Sequence, residues 1–317
     1  MHFDFDAAVT APFRMQPGLR RLAPGAMHLT ALAPGCRHQR EKLAVLSAFA
    51  DQALLESPGF DAAPALGALV SLAAQEHPQA WAWDGAIAQA TRLGVAVHGQ
   101  TGEVLELGRG SFGLGDEISR CLLALPARWR LAGLLSLAFA EDFAIIDGAD
   151  ASIPWLAVAL PSHWAPEEKI GRPFAQVHAP VADNDLLISA SAALVRMVTG
   201  PQRWERFVWN VTGHPHLHAH PRRVAAQRWP SPLDDIGTQA WWRSERQTFI
   251  PLVEHQQAIF TIAVDVEPLA QAIHSAARAT RLFDAISSMS PAVLDYRCLT
   301  TVREPLLRWL AARRDCG

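Results

Sequence analysis

Ala258-Ile259-Phe260-Thr261-Ile262-Ala263-Val264-Asp265-Val266 alternates with a period of two, which places Phe260, Ile262, Val264 and Val266 on one face, the spacing of a β-strand. Two other segments share this chemistry. Residues 153–160 are a compact apolar run marked by Pro154 and Pro161, and residues 206–212 are rich in Val, Trp and Phe, the side chains that suit a pleated surface. Upstream, Val95 and Val97 before Gly99-Gln100-Thr101-Gly102, with Val104, Leu105 and Leu107 after it, predict a short hairpin. That makes about five strands. No regular crossover helices separate them, so the pattern predicts an α+β fold, an antiparallel sheet with flanking helices, and not a doubly wound parallel sheet.

The helices are read from the other period. Leu43, Leu46, Phe49 and Leu54 repeat at helical spacing until Ser57-Pro58-Gly59. A second helix starts near Asp61, a good N-cap, and runs through Leu66, Leu69, Val70 and Ala73 to His77-Pro78. A third is predicted over 85–93. Others are predicted over 116–125, 128–140, 185–198 and 269–286, and a last one follows Ser290-Pro291, kinks near Pro305 and ends in Arg313-Arg314. One domain over 1–317 is expected, with a helical N-terminal region over about 1–93, a core over about 94–286 and C-terminal helices over about 290–314.

Composition narrows the function. Half of the 317 residues are apolar and 19% are charged, which is globular and excludes disorder for the bulk. The 28 Lys and Arg against 31 Asp and Glu, nowhere clustered in basic runs, predict no nucleic-acid partner. Met1-His2-Phe3-Asp4-Phe5-Asp6 lacks the basic and apolar regions of a secretory signal, so a cytoplasmic location is expected. The longest apolar run, 131–140, is short of the roughly 20 residues that span a bilayer. Cys36, Cys121, Cys298 and Cys316 are far apart and read as reduced thiols, not as a zinc or iron-sulfur set. With eleven Trp but only Tyr296 as a phenol, acid-base and ligand roles fall to His, Glu, Asp and Arg.

Several motifs invite a chemical reading. Gly108-Arg109-Gly110-Ser111-Phe112-Gly113 matches G-x-G-x-x-G, but the strand before it is charged and no acidic residue follows at about 20 positions, so a glycine loop fits better than a dinucleotide site. His214, His216, His218 and His220 alternate, and an extended backbone would space them by about 6.6 Å on one side. Pro215 and Pro221 favour an irregular loop, and no Cys or carboxylate lies nearby to complete a tetrahedral metal site. Ser162-His163 with Asp147 lacks any G-x-S-x-G elbow, so no serine nucleophile is expected.

Two stretches carry more. Gln176-Val177-His178-Ala179-Pro180-Val181 sets one histidine between a helix-like run and a proline; a neutral imidazole held there can ligate a metal or haem iron, or simply be half-buried at a helix end. Trp241-Trp242-Arg243-Ser244-Glu245-Arg246-Gln247-Thr248-Phe249 packs two guanidinium groups, a carboxylate and an amide among aromatics. Such a cluster can hold haem propionates and face an amine, or be a buried ion-pair network.

Together these segments resemble the haem-dependent oxidative N-demethylase family, whose haem subunit is similar to PAS gas sensors in carrying haem in an α+β pocket. The resemblance rests on Pro12-Phe13-Arg14-Met15, Glu141-Asp142, Ser162-His163-Trp164, Glu168-Lys169-Ile170-Gly171-Arg172, His178-Ala179-Pro180-Val181, residues 206–210, Glu245-Arg246-Gln247-Thr248 and the strand over 258–262. It is specific between Glu141 and Val266 and thin in the N-terminal helices. It departs at Val211-Thr212-Gly213-His214, where a tryptophan is expected after the asparagine, and in the histidine-rich stretch that follows.

The resemblance implies a PAS-like haem subunit, carrying haem b, that uses oxygen to convert a small secondary amine such as dimethylamine to a primary amine and formaldehyde, as a monooxygenase-type oxidoreductase. Flavin, an iron-sulfur centre and NADPH would act through partner reductase subunits. On this reading His178 is the axial iron ligand and Arg172 and Arg246 help bind the cofactor. Arg243 or Arg246 stabilises oxygen or a propionate, and Glu245 holds the substrate ammonium, because a cationic amine entering an apolar pocket needs a carboxylate. The alternatives are a PAS-like haem or small-ligand sensor without catalysis, or a binding protein for another small molecule.

Overall fold

The computed structural model describes residues 3–110, 113–225, 229–230, 233 and 235–315. Within them the strands are β1 (Arg20–Arg21), β2 (Leu54–Glu56), β3 (Trp81–Trp83), β4 (Ile87–Ala90), β5 (Val95–His98), β6 (Val104–Glu106), β7 (Glu141–Asp147), β8 (Trp155–Ala157), β9 (Trp204–Thr212), β10 (Trp241–Leu252) and β11 (Gln257–Pro268). They form two antiparallel sheets, one of order β1-β9-β10-β11-β7-β8-β2 and one of order β3-β4-β5-β6. The class is α+β, as the alternation predicts, with more strands than the five expected.

The centre is the β10–β11 hairpin, paired without a break from Trp241↔Pro268 to Leu252↔Gln257 and turned by Val253–His255 with Gln256 at φ 52°. The large sheet is covered on both faces. Trp209, Val211 and Trp242 pack with the helices Ala276–Ser287 and Arg303–Asp315, while Ile145, Ile250 and Ile259 join the N-terminal core around Trp81 and Leu134. On the opposite face Ile146 and Phe249 meet the helix Ser191–Val198, and Ala144, Leu156 and Val158 meet Trp164. Burying each such large side chain contributes about 1.5–3 kcal/mol.

One polar staple fixes the N-terminal helices to this sheet. Lys42, fully buried on the helix Arg37–Ala48, places Nζ 3.1 Å from Asp142 Oδ1 and donates to the carbonyls of Glu141 (2.6 Å) and Phe139 (3.1 Å). The second carboxylate oxygen of Asp142 accepts from Leu160 N at 2.6 Å, tying in the segment after β8.

The helix expected over 85–93 is instead β4 followed by the short 3-10 turn Thr91–Leu93. Asp84 Oδ1 accepts from the amides of Ala86 and Ile87, and Gly85 adopts φ 99°, so the chain reverses tightly and β4 pairs with β3 and β5. Cross-strand pairing overrides the helical spacing there. The N-terminal region is therefore helices plus a small sheet. The helical repeat through Leu54 likewise ends early, in Arg37–Ala48 and the single turn Ala50–Ala53, and Leu54 opens β2. Among the described residues no helix is long and apolar enough to cross a membrane.

Candidate functional site

Alternation along β9 and β10 divides their side chains between the two faces. Arg206 is paired with Gln247, Val208 with Glu245 and Asn210 with Arg243, so these six share one face. Gln247 Nε2 donates to Glu245 Oε2 at 2.6 Å, along the strand. Burial pulls the Arg206 guanidinium below its ordinary pKa, and the Glu245 carboxylate and the Tyr296 phenol act against that fall. Gln247, Arg206 and Tyr296 are thus members of the site with no role assigned from sequence. The antiparallel register is the signal that finds the first two, and it is set by β10, whose polar sequence hides it.

The same face is covered by a segment with three short helices, Phe174–His178, Asp185–Ser189 and Ser191–Val198. Pro173 opens the first, and Pro180 follows it closely. His178 Nδ1 donates to the Phe174 carbonyl at 2.9 Å, and the two rings lie 4.0 Å apart. A carbonyl can only accept, so Nδ1 carries the proton and Nε2 keeps its lone pair. Burial lowers the His178 pKa to about 4, the Phe174 carbonyl opposing and the cations of Arg206 and Lys169 adding to the fall, so the ring is neutral near pH 7. Asn184 Nδ2 donates to the carbonyls of His178 and Ala179, holding the turn.

Phe174 and Arg206 also line a small apolar recess of about 30 Å³ with Ile146, Leu194, Val198 and Phe249. A neutral imidazole with a free Nε2 beside apolar walls is a donor set that fits haem iron.

The remaining sequence-derived candidates separate. Arg243 lies on the Glu245 face, 2% exposed, with Nε donating to Ser162 Oγ at 2.8 Å and its terminal nitrogens to the carbonyls of His216, Leu217 and Pro161. Burial lowers its pKa to about 10, opposed by Glu245, Glu41 and Asp142. Arg246 points to the opposite face and pairs with Glu205 at 3.1 Å. The structure does not bring it to Glu245 and Arg243. Arg172 is exposed in the loop before Phe174–His178.

The histidine-rich stretch is irregular and more buried than a solvated loop. His214 and His216 rings lie 5.5 Å apart, His218 and His220 rings 6.0 Å, and His163 meets His214 edge-on at 5.0 Å. His218 Nδ1 donates to the Ala159 carbonyl at 2.7 Å, and His220 Nε2 meets Glu167 at 3.1 Å. Among the described residues no three His, Cys, Asp or Glu side chains converge as a metal site would need. In the glycine loop, where Ser111 and Phe112 lie outside the described residues, the amides of Leu114 and Gly115 are capped by the Glu117 carboxylate. Those donors are taken, as in an ordinary loop.

In a comparison with known families, the model of the family described as haem-dependent oxidative N-demethylase, alpha subunit-like, matches residues 125–307, from before the helix Arg130–Ala138 into the last helix, Arg303–Asp315. The match spans more than half of the chain and includes every strand and loop that builds the face described above, so the chain belongs to the haem-dependent oxidative N-demethylase, alpha subunit-like, family.

Proposed function

We propose that this chain is the PAS-like haem subunit of a cytoplasmic multicomponent enzyme that demethylates a small secondary amine such as dimethylamine. His178 would hold the haem iron through Nε2. The observation that carries the reading is the Nδ1 hydrogen bond to the Phe174 carbonyl, which fixes the tautomer and turns a lone pair on Nε2 outward from a neutral ring. Haem b, when bound, supplies oxygen activation and the oxidation of the N-methyl group. Flavin, iron-sulfur and NADPH chemistry belongs to partner reductase subunits, in keeping with a family named for an alpha subunit.

The protein's own groups bind and orient the amine. Glu245, 8% exposed and held by Gln247, offers a carboxylate to the ammonium in a place where an unpaired cation would be strongly disfavoured. Arg206 neutralises that carboxylate when no amine is present and sits on the side of the recess toward His178. The side chains of Phe174, Leu194, Val198 and Phe249 give that side an apolar wall that offers water no hydrogen bonds.

The test is an absorption spectrum of protein purified with haem supplementation, for wild type and His178→Ala. A Soret band in wild type that His178→Ala loses is the expected result. An unchanged band and ferric spectrum in the variant would move the ligand to His163, His214 or His255. Dimethylamine-dependent oxygen uptake, with a reductase, distinguishes the enzyme from a sensor on the same scaffold.

A further inference from the structure

Two imidazoles outside the site just described have no hydrogen-bond partner among the described residues. Nδ1 and Nε2 of His163, and Nδ1 and Nε2 of His214, are all buried and make no hydrogen bond. Their rings lie 5.0 Å apart. Each neutral imidazole must carry one N–H, so at least two donors are stranded in the interior, a cost that native structures rarely accept without a ligand or water. His163 also holds a left-handed backbone, φ 61°, tied down by its amide to the Ala219 carbonyl at 2.9 Å. Strain at a buried polar residue of this kind is characteristic of a site built for something.

The third component is charge. Arg243 acts electrostatically on both rings, and burial with that cation keeps both neutral. Its own four hydrogen bonds go to Ser162 Oγ and three main-chain carbonyls, none to a carboxylate. Glu245, Glu41 and Asp142 act on that charge but none of them hydrogen-bonds to it, so the guanidinium can still draw an anion, and two N–H groups beside it would direct one. The same positive charge disfavours a metal cation between the rings, in line with the absence of a converging third ligand among the described residues.

We propose that His163 and His214 form a carboxylate-binding site with Arg243 as its fixed charge, and that the carboxylate is a haem propionate. This rests on the haem reading above. Arg243 lies two residues from Glu245 on the same strand face, about 7 Å along β10, and four residues from Gln247, which stands opposite Arg206. A ligand extending along this face from Arg206 toward Arg243 would bring its edge toward Ser162 and His216, to which Arg243 bonds and which lie near the two histidines in the chain. Four of the five guanidinium N–H groups of Arg243 are already bonded, so it contributes chiefly field and the two histidines contribute most of the hydrogen bonds.

The experiment is a titration of haem-free protein with haem and with haem dimethyl ester, whose propionates are blocked, followed by absorbance. Wild type is expected to bind the diacid at least tenfold more tightly than the diester. His163→Phe and His214→Phe, which keep a ring and lose the donors, should remove that preference while the diester still binds. His163→Asn and His214→Asn keep an N–H, and Asn tolerates the left-handed backbone at position 163, so they should retain it; they also decide the question if the Phe variants do not fold. Equal binding of diacid and diester by wild type would overturn the carboxylate site and leave the haem reading standing. A preference that survives the Phe substitutions, or that the Asn variants lose although they fold, would also overturn it. Wild type binding neither ligand would overturn both.

Discussion

Arg206 of β9 and Glu245 of β10 share one sheet face, and the carboxylate sustains the guanidinium against its burial. Glu245→Gln keeps a hydrogen-bonding group beside Gln247 but removes the charge Arg206 relies on. The expected loss is about 1–3 kcal/mol of stability, several degrees in a thermal melt, with haem retained and amine affinity lowered tenfold or more. An amine titration of the haem spectrum beside the melt checks this. A lower melting temperature with unchanged amine affinity would leave Glu245 a structural role only.

Lys42 and Asp142 form a pair buried on both sides, 0% and 1% exposed. Lys42→Met leaves that carboxylate without its cation and should cost about 3–5 kcal/mol in urea unfolding. Adding Asp142→Asn removes the stranded charge while an oxygen remains to accept from Leu160 N. The double variant should therefore recover a large part of the loss. If it is no more stable than Lys42→Met alone, the pair is not what holds the helix Arg37–Ala48 on β7.

How far the sequence discloses all this depends on where polar groups lie. β11 is read directly, because its alternation puts Phe260, Ile262, Val264 and Val266 on one face. β10, its partner over twelve pairs, reads as a polar cluster, since Arg243, Ser244, Glu245, Gln247 and Thr248 are buried along with its apolar residues. Hydropathy carries no period when both faces are covered and several interior groups are hydrogen-bonded. β7 hides in the same way behind Glu141 and Asp142, both buried. Treating residues 243–246 as one cluster follows from missing that strand: alternation sends Arg246 to Glu205 on the other face. His178 stands out through its flanking prolines and family-like segment, whereas the His163–His214 contact joins residues about fifty positions apart and no local pattern announces it.

Gly102, in the predicted Gly99-Gln100-Thr101-Gly102 turn, connects β5 to β6 at φ 68°, with its amide donating to His98 O at 2.8 Å. A Cβ there would strike the Ala127 carbonyl, which is backbone and has no rotamer to change. Gly102→Ala should cost about 2–4 kcal/mol, the left-handed conformation and the overlap together. Gly25, at φ 77° with nothing within 4 Å of a built Cβ, isolates the first of these. Gly25→Ala should cost only about 1–2 kcal/mol, and equal losses at the two positions in chemical denaturation would show that the Ala127 contact relaxes freely.

Five histidines whose pKa burial lowers, His38, His163, His178, His214 and His218, set the response to acid. Burial lowers His163 to about 3, and His178 and His214 to about 4, against an ordinary value of 6.5. Below pH 6.5 the unfolded chain therefore binds protons that the folded chain refuses, and stability falls as the pH drops from 6.5 toward 4. Within that window each histidine steepens the fall by up to about 1.4 kcal/mol per pH unit. Glu76 acts lower down. Its carboxyl lies below its ordinary value, against the opposing effect of burial, because the His28 ring and the amides of His28 and Leu29 donate to it. Its contribution is complete above the ordinary carboxylate range and is lost only as pH falls through the lowered value. Urea midpoints of the haem-free protein should accordingly fall between pH 6.5 and 4.5. The His163→Asn, His214→Asn double variant, which removes two of the five rings and among them the one lowered furthest, should show a shallower slope there. Glu76→Gln should leave that slope as it is and flatten only the limb below about pH 4.5. A double variant with the wild-type slope would mean that the two imidazoles are protonated within the fold and are not the neutral donors the carboxylate site requires.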